Sequence, residues 1–168
     1  MRGLVLGCAL VLVAAFVPPA AVQAQSCGPS QLLVDVFVIY NGPGSWSGGV
    51  CSDGEFRASD LDGEYSKRLT PIELGKLRGL LAAMPADKHE YSFGTSYVDA
   101  PMMLVSVRST GVLRKYFIGA DVKSERGNPL FPPVAHVAIF VRDQFESKRA
   151  LSSSEWFAEA LPTGPATD

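Results

Sequence analysis

Apolar and polar positions alternate with a period that changes several times along the chain, and each change marks an element. Gln31 to Tyr40 (QLLVDVFVIY) places Leu32, Val34, Val36, Val38 and Tyr40 on one face and Leu33, Phe37 and Ile39 on the other, around a single Asp35. Both faces are largely apolar, as in a central strand, and Asn41-Gly42-Pro43-Gly44 ends it. Ser45 to Gly54 (SWSGGVCSDG) reads as a glycine-rich loop or irregular hairpin carrying Trp46 and Cys51. Two short strands follow, at about Glu55 to Ser59 and Glu64 to Leu69, joined by the hairpin-turn composition Asp60-Leu61-Asp62-Gly63.

The period then becomes helical. Thr70 can cap, Pro71 suits the first helical position, and Glu73 completes a capping box, so a helix is predicted with Ile72, Leu77, Leu80, Leu81 and Met84 on one face and Pro85 at its end. Beyond the polar segment Asp87 to Pro101, Met102 to Arg108 and Val112 to Ile118 read as a hairpin turning at Ser109-Thr110-Gly111. Leu113 and Phe117 alternate there with Arg114 and Tyr116, which predicts a half-buried pair. After a loop at Gly127-Asn128-Pro129, Phe131, Val134, Val137, Ala138, Val141 and Phe145 step at helical spacing with Pro132-Pro133 at the front, predicting a second amphipathic helix to about Ser147. Ser152 and Glu155 open a short third helix around Trp156 and Phe157, and residues 162–168 are expected to be disordered.

This order predicts an α+β fold: an antiparallel sheet of about five strands packed on two amphipathic helices, plus a short C-terminal helix, in one domain spanning residues 25–161. Residues 1–24 read as a signal peptide. Arg2 supplies the positive start, Leu4 to Val17 is an apolar run of 14 residues, and Ala24 offers a small residue before a cut at Gln25. A bilayer-spanning helix needs roughly 20 apolar residues, and Pro18-Pro19 interrupt this one. The expected location is periplasmic or secreted, with no membrane span after cleavage. A lipoprotein cut before Cys27 is the alternative, although Gln25 suits a lipidation site badly.

Loss of Arg2 would take the formal net charge from −2 to about −3. Basic residues are dispersed in pairs, Lys67-Arg68, Arg114-Lys115 and Lys148-Arg149, so no nucleic-acid partner is expected. Cys8 leaves with the signal, and Cys27 and Cys51 are predicted to pair in an oxidising compartment. Closing a loop of that size stabilises a fold by roughly 3 kcal/mol on the chain-entropy model. Two cysteines without a nearby His or third Cys fall short of a zinc set, and no metal or cofactor is predicted.

Familiar catalytic patterns do not fit. With Gly63 as the invariant glycine of a calcium loop, Ala58 and Leu69 stand where two essential oxygens belong. Gly42-Pro43-Gly44-Ser45-Trp46-Ser47-Gly48-Gly49 has Ser47 in place of the third glycine of a dinucleotide loop, and Trp46 in place of the serine of a nucleophile elbow. His136 falls off the apolar stripe of its helix, and His89 lies in a polar post-helix loop. Asp60, Asp62 and Glu64 are close in sequence, but sugar hydrolysis needs two acids across a cleft. No catalytic residue is assigned. Tyr97 and Asp99, before the Met102 strand, could join Trp46 in an aromatic binding rim, or could cap a turn and pack on the sheet edge.

Ser52-Asp53-Gly54 through Leu69-Thr70-Pro71-Ile72-Glu73, the Tyr97-x-Asp99-x-Pro101 run before a hairpin, and Asn128-Pro129-Leu130 before the last long helix resemble a bacterial envelope-associated domain family of unknown function, over about residues 55–142. That resemblance implies an α+β sandwich and supplies no activity. The expected function is an exported, non-enzymatic module, an envelope binding or inhibitory protein whose partner is an envelope protein or polymer. Two alternatives are a small hydrolase of envelope polymers using acids between Asp53 and Glu64, and a lipid-anchored structural protein held at Cys27.

Overall fold

Seven strands form one sheet in the computed structural model, which describes residues 27, 32–39, 45–95 and 100–145. In chain order they are β1 (Leu32–Ile39), β2 (Trp46–Cys51), β3 (Glu55–Asp60), β4 (Gly63–Arg68), β5 (Glu90–Phe93), β6 (Met102–Ser109) and β7 (Val112–Ile118). Helix α1 (Pro71–Ala82) follows β4, and α2 (Phe131–Asp143) follows a single 3-10 turn at Val122–Glu125. Across the sheet the order is β4-β3-β2-β1-β6-β7-β5. The first four strands form a meander, β6 adds antiparallel to β1, and the β6–β7 hairpin is closed on its far side by β5.

The class is α+β, as expected, but the sheet is larger and mixed. β5 runs parallel to β7, and the chain between them passes through β6, which pairs antiparallel with β7 on its other side. β2 and β5 are the two strands that the antiparallel five-strand expectation lacked. The third helix expected at Ser152, the tail, the signal segment, Tyr97 and Asp99 lie outside the described residues.

Register assigns every side chain to a face. Val34, Val36 and Val38 are fully buried and stand beside Val107, Val105 and Met103 on one flank and Val50, Gly48 and Trp46 on the other. Tyr116 and Ile118 continue this face into β7, and Tyr91 and Phe93 carry it into β5. Helix α2 lies across it. Phe131 meets the Phe93 ring at 5.5 Å, and Phe145, just past the helix, meets Trp46 at 6.3 Å and Tyr65 at 6.1 Å. A 13-residue helix is about 20 Å long, close to the four strand spacings from β5 to β2.

Gly48 is what lets the helix sit this close. A Cβ there would stand 3.3 Å from Val141 Cγ1, so Gly48 marks a close approach of helix to sheet rather than a loop. The same inward register buries Trp46 to 2% exposure, which corrects its expected place on a binding rim.

Helix α1 starts as its sequence predicts. Thr70 Oγ1 accepts from Glu73 N at 3.2 Å while the Glu73 carboxylate accepts from Thr70 N at 2.7 Å, and these bonds hold the Glu73 carboxyl below its usual range. Leu77 and Met84 are buried, and Leu74, Leu80 and Leu81 pack against the core. Ile72 is 84% exposed, contrary to expectation, because it sits five residues before Leu77, about 140° around the helix.

The chain leaving α1 is pinned to β5 and β7 by two stacked tyrosines. Tyr91 and Tyr116 lie parallel at 5.0 Å, with Tyr116 Oη donating to Pro85 O and Tyr91 Oη donating to Asp87 Oδ1, each at 2.6 Å. Burial pushes the Tyr116 hydroxyl up to about 12, and the bond from Tyr91 holds Asp87 below the usual carboxylate range. Both helices therefore cover one face of the sheet.

Candidate functional site

The other face carries the alternate residues, and neither helix covers it. Two cross-strand rows define its centre. Phe37, Leu104 and Phe117 are direct neighbours on β1, β6 and β7, and one step along lie Asp35, Ser106 and Lys115. Ile39 pairs with Met102 to extend the apolar part. Phe37 and Ile39 are 36% and 39% exposed, large values for apolar side chains in a central strand.

Asp35 interrupts this band. Its strand neighbour on the β2 side is Gly49, where a Cβ would stand 3.0 Å from Asp35 Oδ1, so only a glycine leaves the carboxylate its space. No hydrogen bond or ion pair joins Asp35 to another described residue, and burial raises its carboxyl above the ordinary range. Arg57, beyond Gly49 in the same row, gives its guanidinium to Glu55 at 2.9 Å. Among the described residues, Arg108 Nε on this face is buried without an acceptor.

Toward β3 the face becomes small and polar. Ser47 and Ser59, both buried, share a hydrogen bond at 3.0 Å beside Phe37. The face is thus divided into an apolar band over β1, β6 and β7 and a serine pair over β2 and β3.

Residues singled out from sequence fall elsewhere. Asp60, Asp62 and Glu64 lie along the β3–β4 hairpin, where Asp60 Oδ1 accepts from Asp62 N at 2.8 Å and Gly63 takes the positive φ of 141° that the turn requires. His89 precedes β5 and His136 projects from α2, both exposed. Cys51, Asp53 and Glu55 bring three ligand types within 4.8 Å of one another. The sulfur is spent, however: Cys51 is bonded to Cys27, and Asp53 accepts from Glu55 N at 3.1 Å and pairs with Arg68 at 3.4 Å. That disulfide is the pairing expected from the sequence.

The open band was legible in part. Leu33, Phe37 and Ile39 already form a second apolar face in the sequence, and Asp35 stands out within it. What the sequence lacks is the register that sets Leu104 and Phe117 beside Phe37, and the knowledge that both helices choose the other side. No protein-family model matches the chain, and no curated protein matches it in sequence. Among the described residues no helix is long and apolar enough to cross a membrane.

Proposed function

We propose that this chain is an exported, non-enzymatic binding module that works through the open face of its sheet. One observation carries the reading: the two central strands, β1 and β6, keep large apolar side chains on the face that neither α1 nor α2 covers. Phe37 and Ile39 keep over a third of their surface exposed in the monomer, which suits a partner that removes it from water. The N-terminal signal pattern and the Cys27–Cys51 bond support an oxidising, extracytoplasmic setting. The likeness of the turn and cap residues to an envelope-associated family supports the same setting.

The edges of the sheet favour recognition by a face. β4 ends the sheet with Glu64, Lys67 and Arg68, and β5 at the opposite edge is four residues long, both devices that discourage strand addition. Disposition of the acids favours binding over hydrolysis, since Asp60, Asp62 and Glu64 follow one exposed hairpin.

Photocrosslinking tests the proposal. A photoreactive side chain at Phe37 in the full-length protein, expressed in its native envelope, is expected to give a discrete adduct, whereas the same group at exposed Ile72 on α1 gives none. Adducts from Ile72 alone would place recognition on the helical side and refute the reading.

A further inference from the structure

We infer that the chain beyond α2 returns to the outward face and seats residues 152–161 over the serine pair, in a trough between Phe37 on β1 and Glu64 on β4. This intramolecular cover goes beyond the binding reading, and it leaves the apolar band over β1, β6 and β7 open.

Exposure along one row of the sheet marks the place. Phe37, Ser47, Ser59 and Glu64 are successive cross-strand neighbours on β1, β2, β3 and β4. Phe37 is 36% exposed and Glu64 is exposed, yet Ser47 and Ser59 between them are only 7% and 2% exposed. Neighbouring strands shield the flanks of a serine, and only a group standing above the sheet closes its top. Helices α1 and α2 pack on the other face, so the cover comes from outside the described residues. The two hydroxyls bond each other at 3.0 Å, which lets both lie beneath an apolar cover without an unmade hydrogen bond.

The floor of the trough is small as well as satisfied. Ser47 and Gly49 on β2 and Ser59 on β3 leave a depression about two strand spacings wide, roughly 10 Å, which is the width of a helix. A helix from Ser152 to Leu161 fits it. At about 100° per residue, Trp156, Phe157, Ala160 and Leu161 fall within an arc of roughly 140°, and Glu155 and Glu159 fall on the opposite side.

The route is short and its charges suit it. Phe145, the last described residue, packs against Trp46, the first residue of β2, and against Tyr65. Ser47 follows Trp46, and Ser59 precedes Asp60 at the end of β3. The seven steps from Phe145 to Ser152 span up to roughly 23 Å when extended, against about 10 Å between packed layers. Lys148 and Arg149 lie on this path, which passes the acidic turn of Asp60 and Asp62.

Thiol accessibility in the purified, disulfide-intact protein tests the seat. Ser59→Cys places a small thiol in the trough, and Ser66→Cys, at an exposed position of β4, gives the reference. The thiol at position 59 is expected to be alkylated at least about tenfold more slowly than the reference, and adding Phe157→Asp is expected to bring it within about twofold. A thiol at 59 that reacts as fast as the reference without Phe157→Asp shows an uncovered face, and one that stays slow with it assigns the cover to another segment. Either result overturns the inference. Should Phe157→Asp fail to fold, a photoreactive group in place of Trp156 decides. An intramolecular crosslink to residues 45–51 or 55–60 supports the seat, whereas a crosslink to α1 or α2, one only to another molecule, or none overturns it. Capture through Phe37 tests the binding reading separately, and its success or failure moves neither readout.

Discussion

The two faces of this sheet are built from the same strands and differ in what they must satisfy. On the inward face Val34, Val36 and Val38 meet α2 through a closely packed layer in which even a glycine, Gly48, is fixed by its neighbour Val141. On the outward face Phe37 and Ile39 lie beside one carboxylate, and neither α1 nor α2 covers them. One strand therefore carries a buried face and an exposed face at alternate positions, and substitutions one residue apart should report on different properties.

The largest separation is expected from Phe131→Ala, which empties the contact between α2 and Phe93 and should cost about 3–5 kcal/mol in urea unfolding. Removing the staple with Cys27→Ser and Cys51→Ser together should cost roughly 3 kcal/mol in the same measurement, since the bond spans a separation of 24 residues and belongs to neither face. Gly48→Ala forces a methyl against Val141 and should cost about 1–3 kcal/mol, read as a lowered urea midpoint. Phe37→Thr on the opposite face should cost about 1 kcal/mol or less in the dilute monomer, while abolishing adduct formation by a crosslinker at Met102. If Phe37→Thr proved as damaging to folding as Phe131→Ala, the division between the faces would fail.

Asp35 gives the smallest effect and the opposite sign. Burial raises its folded pKa, so the favourable contribution is complete below the pKa of the unfolded carboxyl and is lost as pH rises through the folded value. Asp35→Asn should therefore melt higher than the parent at neutral pH and equal it in acid, below the ordinary carboxylate range. A lower melting temperature at neutral pH would mean that the charge stabilises the monomer.

Local signals in this sequence were readable and non-local ones were not. The capping box at Thr70 and Glu73, the Asp60–Gly63 turn and the Ser109–Gly111 turn rest on neighbouring residues, and each lies where the sequence places it. β2 was obscured because Gly48 and Gly49 weaken strand propensity, and their reason lies in α2 and Asp35, far along the chain or across the sheet. β5 left a trace in the alternation Glu90-Tyr91-Ser92-Phe93, but four residues in a polar segment carry little weight, and the parallel pairing with β7 is a long-range choice. The second α2 boundary also moved: the helix ends at Asp143, before the expected Ser147, while Phe145 still reaches the core. Within the candidate site, Asp35 and Phe37 could be found from the apolar alternation alone. Lys115 and Leu104 could not, because only register brings them alongside.

The position of α2 along the chain bears on how the protein is made. All seven strands precede it, and the cover that spans the sheet from Phe93 to Trp46 is the last described element to be synthesised. A chain emerging N-terminus first holds Val34, Val36, Val50 and Val105 without their lid until residue 145 is free, so the sheet is vulnerable to aggregation throughout its own synthesis. Completion of the core thus waits for α2, which delays stable packing of the sheet until residue 145 has been made.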